Sequence, residues 1–83
     1  SLRLYPNPAS SYMMVRYSGT RQQNVIITVK DMMGRTVISK TQASQNGSNE
    51  LEINTSGLAE GTYVLSLSDA EQSSVSRLFT VVK

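Results

Sequence analysis

The sequence predicts an all-β protein, an immunoglobulin-like β-sandwich of about seven antiparallel strands in a single domain over residues 1–83. Three observations predict this fold class. Apolar and polar residues alternate with a period of two, and no stretch has a convincing helical period. The alternating segments follow one another at spacings of roughly 8 to 12 residues, with turn residues between them. A chain of 83 residues also has room for only one such core.

The first two strands are separated by a proline-rich segment. Residues 2–5 predict a short strand, which ends at Pro6-Asn7-Pro8 because proline has no N–H to donate to a ladder. Residues 12–17 predict the second strand. Its inward face is ambiguous, since two sets of side chains compete for the core: Met13, Val15 and Tyr17 on one face, and Tyr12 and Met14 on the other.

The third and fourth strands are predicted to form a hairpin. Alternating apolar residues over 25–29 predict the third strand, and residues 35–41 predict the fourth. In the turn between them, the Asp31 carboxylate can bond the backbone two residues on, and Gly34 can take a positive φ and form a bulge. A long polar connection over 42–48 is expected to follow.

The fifth strand leads into a bend between the two sheets. Alternation over 50–53 directs Leu51 and Ile53 to one face and two glutamates to the other. Residues 55–61 are rich in small and polar residues and predict the bend. Leu58 is expected to be its buried plug.

The last two strands form the clearest hairpin. Residues 61–67 and 77–83 are β-branched and alternating, and a polar turn over 69–74 joins them, so the chain is predicted to end on a strand. The final strand has apolar residues on both parities, so a bulge or burial on both faces is expected, with Phe79 inward. The two sets are Val75, Phe79 and Val81, and Leu78 and Val82.

The composition excludes most catalytic chemistry. The chain has no Cys and no His, which excludes thiol nucleophiles, imidazole bases, the usual zinc ligands and disulfides. The carboxylate pairs Glu50/Glu52 and Asp69/Glu71 lack a further ligand cluster, so neither a metal nor a cofactor is predicted. A dispersed net charge of +2 does not indicate nucleic-acid binding. No apolar run is long enough to predict membrane insertion.

Four motifs occur in order along the chain. They are Leu4-Tyr5-Pro6-Asn7-Pro8, Asp31-Met32-Met33-Gly34-Arg35, Leu58-Ala59-Glu60-Gly61-Thr62-Tyr63, and a basic residue, Arg77, before the final Val81-Val82-Lys83. Each motif is weak alone, but the ordered set resembles the type IX secretion C-terminal sorting domain family over essentially the whole chain. The resemblance implies an immunoglobulin-like sandwich at the end of a secreted cargo protein of Bacteroidetes-type bacteria, acting as a sorting signal and not as an enzyme.

The resemblance also implies partners and a destination. The domain would carry its parent from the periplasm across the outer membrane through the type IX translocon, to the cell surface or the medium. A sortase-like surface protease would then usually remove it and join the cargo to anionic lipopolysaccharide. Whether this copy is removed or retained, the identity of the cargo and the oligomeric state are left open.

A folded signal is recognised through its surface, so rigid turns, exposed charges and the terminal strand are candidate contacts, and a sheet edge is another. Arg77 and Lys83 are candidate cation contacts for an acidic receptor surface, and Val81 and Val82 are candidate apolar or backbone contacts. Closing the fold is an equal alternative for these four. Arg35 is a further candidate, with simple solvation as its alternative. The remaining motif positions are expected to be mainly structural: Tyr5, Pro6, Asn7, Pro8, Asp31, Gly34, Gly61 and Tyr63.

Two other classes of function stay open at this point. An adhesion module that binds glycan or protein would be expected to expose a planar set of aromatic residues, and this chain has no Trp, four Tyr and one Phe. An enzyme would have to use Ser, Tyr, Lys and carboxylates in a domain too small for a sizeable pocket.

Overall fold

A computed structural model describes residues 2–71 and 73–83 of the chain. Ser1, the first residue of the predicted domain, and Gln72, within the predicted last turn, lie outside the described residues. Every regular element in the described residues is a strand. The strands are β1 (Leu2–Tyr5), β2 (Tyr12–Gly19), β3 (Gln23–Asp31), β4 (Thr36–Ser44), β5 (Gly47–Asn54), β6 (Gly61–Ser68) and β7 (Ser74–Val81).

The strands form two antiparallel sheets that pack face to face. One sheet has the order β1-β2-β5, and the other has the order β4-β3-β6-β7. This is an immunoglobulin-like sandwich in which β4 pairs with β3 in the larger sheet. The predicted fold class is confirmed.

The core lies between the sheets, and each strand contributes to it through alternate residues. The period-two pattern places the apolar side chains of each strand on one face, and burying that face stabilises the sandwich. The buried hydrophobic residues are Leu2, Ala9, Met13, Val15, Tyr17, Val25, Ile27, Val29, Ile53, Tyr63, Leu65, Phe79 and Val81.

Packing resolves both parity ambiguities. In β2, Met13, Val15 and Tyr17 face the core, while Tyr12 is exposed. In β7, Phe79 faces inward as expected. The predicted bulge or double burial in β7 is wrong, because its pairing with β6 runs without interruption from Gly61↔Val81 to Ser68↔Ser74. The other parity faces water, and Leu78 on it is 61% exposed.

Two predicted boundaries are also wrong. The polar connection expected over 42–48 is only two residues long, because β4 continues to Ser44 and β5 starts at Gly47. Pairing with β3 and a buried hydrogen bond between the Tyr17 and Ser44 hydroxyls hold this polar stretch as strand. The last strand ends at Val81 and not at the final residue, so the final two residues are held by other contacts.

The segment between β1 and β2 leaves their shared sheet, contacts β7 of the larger sheet and returns. β1 ends at Tyr5, as predicted, and the peptides before Pro6 and Pro8 are cis. Ala9 then pairs with Val81 as an isolated parallel bridge and is buried. Leu58, the expected plug of the later bend, is half-buried against the core. Within 2–71 and 73–83 there is no helix long and apolar enough to cross a membrane.

Candidate recognition site at the tail end of the sandwich

The antiparallel connections gather four separate segments at one end of the sandwich. Asp31 pairs with Tyr63, and Gly61 pairs with Val81, so the β3–β4 turn and the chain terminus lie beside the bend that precedes β6. We call this region the tail end, and it comprises residues 6–11, 31–35, 55–60 and 81–83. The motifs that are dispersed along the sequence therefore lie mostly in one region, with Tyr5, Gly61 and Tyr63 at its border.

The final residue is bound to the rest of the fold through its side chain. The Lys83 ammonium donates to the carbonyl oxygens of Ser10 at 3.0 Å, Thr55 at 3.1 Å and Ser56 at 3.0 Å. Its backbone N–H donates to Glu60 Oε1 at 2.7 Å. An ammonium has three N–H donors and no acceptor, so three carbonyls satisfy it completely. The chain terminus is thereby held in one place.

The segment after β1 is bound along the edge of β7. Ala9 donates its N–H to the carbonyl of Thr80 at 2.8 Å, and its own carbonyl accepts the Val82 N–H at 2.8 Å. Asn7 Oδ1 accepts the Thr80 N–H at 3.1 Å. Asn7 thus provides the acceptor that a neighbouring strand would otherwise provide for this edge N–H.

One buried residue of the tail end was not predicted. Thr55 is fully buried; its hydroxyl donates to the Ser10 carbonyl at 3.1 Å and its N–H donates to the Ser11 carbonyl at 3.0 Å. The available signal was its parity, because Thr55 follows the inward-facing Ile53 by two residues.

The turn at Asp31 has the predicted chemistry. Asp31 Oδ1 accepts the N–H groups of Met33 at 2.9 Å and Arg35 at 3.0 Å. Its other oxygen lies 2.9 Å from Nε of the Arg35 guanidinium. These contacts, the Arg35 amide first among them, lower the pKa of the Asp31 carboxyl. Gly34 has a φ of 85°, which favours glycine, as expected for this position.

The start of β6 carries an aromatic residue that supports the bend before it. Gly61 has a φ of 153°, a backbone conformation that residues other than glycine rarely adopt. The Tyr63 ring packs on Phe79 with centroids 5.6 Å apart, and its hydroxyl donates to the Ala59 carbonyl at 2.6 Å. This geometry is the tyrosine corner of immunoglobulin-like sandwiches. The expected core aromatic with a hydroxyl at the rim is confirmed.

The structure places four of the five candidate recognition residues at the tail end. Val81 is 1% exposed, and the Lys83 ammonium is turned toward the fold, so both hold the tail in place. Val82 and Arg35 are exposed beside them. Arg77 is apart from this group, since it lies in β7 opposite Leu65. Recognition by any of the five stays a prediction.

The free edge of β7 is open over part of its length. The N–H and the carbonyl of Thr80 both point away from β6, toward the segment after β1. Backbone groups of alternate residues in an antiparallel strand point in the same direction, so the N–H and carbonyl groups of Ser76 and Leu78 also point away from β6. Arg77 Nη1 donates to the Ser76 carbonyl at 2.9 Å and so covers one of these groups. Charged side chains are a common means of protecting a sheet edge.

These features define a class of protein. Across the described part of the chain no three His, Cys, Asp or Glu residues cluster as a metal site would require. The structure instead presents a small sandwich whose terminus and motif segments are held together on one surface. Such an arrangement belongs to a module that a partner protein recognises.

Comparison with known families identifies the module. The family model described as "Secretion system C-terminal sorting domain" matches residues 3–82, and the chain belongs to this family. It is a type IX secretion C-terminal sorting domain, which directs its cargo across the outer membrane to the cell surface or the extracellular space. A comparison with individual curated proteins finds no match.

Proposed function

We propose that the type IX outer-membrane translocon recognises this sorting domain at its tail end. The observation that carries the proposal is the binding of Lys83 by three carbonyls, which fixes the terminus beside the motif segments. A fixed surface loses little conformational entropy when a partner binds it. In this proposal Arg35, Arg77 and Val82 contact the partner, and Val81 and Lys83 position them.

The proposed contact is electrostatic as well as apolar. The Arg35 side chain is 75% exposed even though it pairs with Asp31, and Arg77 is exposed on the β7 edge. Val82 is 46% exposed. A receptor surface with acidic groups around an apolar contact would complement this arrangement, and the open edge over Ser76 and Leu78 offers backbone groups for strand addition.

The later steps of secretion involve a second partner in this proposal. That partner is a sortase-like surface protease, which in this family usually removes the domain after transport and joins the cargo to anionic lipopolysaccharide; removal or retention of this copy is left open. The unit 1–83 acts as a signal with no catalytic activity of its own. An adhesion role is less well supported, because Tyr17, Tyr63 and Phe79 are buried and only two rings, Tyr5 and Tyr12, are exposed in the described residues.

Export of a fused reporter tests the sorting function in this chain. We expect residues 1–83, placed behind a periplasmically exported reporter in a type IX-competent strain, to bring the reporter to the cell surface or the medium. The same fusion in a strain without the translocon is the control and should stay in the periplasm. Periplasmic retention of a folded fusion in the competent strain would refute the sorting role.

Surface variants test the place of recognition. Arg35→Gln, Arg77→Glu and Val82→Asp change exposed side chains, so each should melt close to the parent while its export falls about tenfold or more through lost or unfavourable charge contacts. Thr20→Asp is the matched control, because Thr20 is exposed at the opposite end of the sandwich. Export of all three variants at the parental level would place recognition outside the tail end and the β7 edge.

A further inference from the structure

Two arginines face each other on the outer surface of the three-stranded sheet. Arg3 in β1 and Arg16 in β2 are direct partners in the antiparallel register, and both are exposed. Like charges placed directly opposite in a sheet repel and destabilise it. In the described part of the chain neither arginine forms a salt bridge, since the ion pairs there are Arg21–Glu71 and Asp31–Arg35.

The carboxylate closest in register to this pair is bound elsewhere. Glu50 lies opposite Arg16 in β5, but its Oε2 accepts a hydrogen bond from the Tyr5 hydroxyl, which raises the pKa of that phenol. Arg16 Nε instead donates to Ser48 Oγ, at 3.4 Å. The Arg16 guanidinium is therefore directed toward hydroxyls and away from the carboxylate.

The two arginines border a cavity with polar walls. Its volume is about 270 Å³, and its lining includes Arg3, Arg16, Ser18 and Ser48. Ser18 and Ser48 are direct partners across β2 and β5, so their hydroxyls lie on the same outer face as the guanidinium groups. Two cations and two hydroxyl groups thus border one space.

We propose that this cavity binds a tetrahedral oxyanion, a phosphate or sulfate group, between the guanidinium groups of Arg3 and Arg16. The planar guanidinium offers paired N–H donors that match two oxygens of such a group, and the Ser18 and Ser48 hydroxyls donate to the others. A bound dianion also removes the repulsion between the arginines. The site lies away from the tail end, so it does not rest on how the sorting machinery recognises the domain.

Binding is tested with inorganic phosphate on the full chain. At constant ionic strength, phosphate is expected to raise the thermal unfolding midpoint above its value in chloride, and to shift the amide resonances of residues 3, 16, 18 and 48. Arg3→Gln and Arg16→Gln should each weaken phosphate binding about tenfold or more. Lys30→Gln, which removes one positive charge from an exposed residue of the other sheet, should leave binding unchanged.

Further variants keep the test decisive. Arg3→Lys and Arg16→Lys retain the charge but lose the paired N–H donors of the guanidinium, so they should fold and bind phosphate with intermediate affinity. Without phosphate, Arg3→Gln should melt at or above the parental midpoint, because a repulsive contact has been removed. Equal midpoints in phosphate and chloride, or an equal loss of binding in Lys30→Gln, would overturn the proposal.

A vesicle experiment distinguishes the two sources of such a group. Co-sedimentation with vesicles that contain phosphatidic acid, but not with phosphatidylcholine alone, would assign the site to a lipid headgroup if it requires Arg3 and Arg16. Binding of inorganic phosphate without vesicle binding would assign it to a soluble phosphate. Absence of both would refute the site.

Discussion

The Lys83 side chain joins two segments that are far apart in the sequence. Its acceptors are the carbonyl of Ser10 in the segment after β1, and the carbonyls of Thr55 and Ser56 in the bend after β5. The Thr55 hydroxyl shares the Ser10 acceptor with it. At the scale of single residues, the terminal lysine therefore closes the tail end, and this is one of the two roles the sequence left open for it.

Replacement of Lys83 tests this closing role. Lys83→Met should lower the free energy of unfolding by about 1.5 kcal/mol, because three hydrogen bonds from a charged donor to backbone carbonyls are lost. Urea unfolding measures the difference. Lys30→Met is the matched control, since the Lys30 side chain is exposed and forms no hydrogen bond with the other described residues. Equal losses in the two variants would contradict the closing role.

At the scale of elements, the turns of two hairpins have the same hydrogen-bonding pattern, in which an aspartate carboxylate accepts backbone amides of its own turn. Asp31 Oδ1 accepts amides two and four residues on, in the turn between β3 and β4. Asp69 Oδ1 accepts the amides of Glu71 at 3.0 Å and Ser73 at 2.9 Å in the turn between β6 and β7. A carboxylate that bonds the following backbone is a local feature, so both turns form largely independently of the rest of the fold.

The turn at Asp31 should make stability depend on pH at the acid end. The pKa of the folded Asp31 carboxyl lies below its ordinary value of 3.8, chiefly because of the Arg35 amide. Its stabilisation is therefore complete above the ordinary pKa and is lost as the pH falls through the folded pKa. We expect the difference in thermal midpoint between the parent and Asp31→Ala to shrink over that range.

A second variant identifies the cause of this pH dependence. Arg35→Gln keeps the backbone N–H that bonds Asp31 and removes the guanidinium, so it should retain most of the acid-dependent loss of stability. Thermal melts of the parent and both variants across the acid range measure it. A constant difference between the parent and Asp31→Ala at every pH would show that the turn is not the source.

Variants at two neighbouring positions test which face of β7 packs against the core. Phe79 is 1% exposed and stacks on Tyr63, so Phe79→Ala should cost about 3 to 5 kcal/mol. Leu78→Ala removes an exposed side chain and should cost less than about 0.5 kcal/mol. Denaturant unfolding measures both. Comparable losses would mean that β7 is paired with β6 in another register.

At the scale of the whole molecule, the segment after β1 is bound to the last residues of the sequence. This segment pairs with Thr80 and Val82, while the final ammonium bonds it at Ser10. The sandwich is thus closed at the tail end by long-range contacts. Arg3 and Arg16, in contrast, lie on an outer sheet face where the fold itself does not need them.

Closure by the segment after β1 and the last residues predicts that their contacts are coupled. Asn7→Ala removes the acceptor of the Thr80 N–H, and Lys83→Met removes the donor to Ser10. Either change should loosen the shared segment, residues 6–11, so that the second change has a smaller effect. The loss in free energy of unfolding of the double variant should therefore fall short of the summed losses of the single variants by at least about 0.5 kcal/mol. A double-mutant cycle in urea measures this. Additive losses would show that the two contacts act independently.

The sequence predicted the strands more completely than it predicted the site. Alternation and turn residues indicated all seven strands and the Asp31 turn, because both signals are local. The prediction of a long polar connection over 42–48 was wrong, because these polar residues become strand only through pairing with β3 and β2. The inward position of Phe79 was predicted correctly, but the bulge or double burial expected in β7 was wrong, because an edge strand can leave an apolar side chain such as Leu78 in water.

By itself the sequence determined the all-β class, the turn chemistry and, through the order of its motifs, the sorting family. Only the tertiary structure decided that Thr55 is buried, that Ala9 pairs with Val81, and that Lys83 bonds the fold. The physical reason is that strand periodicity depends on adjacent residues. A hydrogen bond between residues 10 and 83 leaves no pattern in the sequence until the chain has folded.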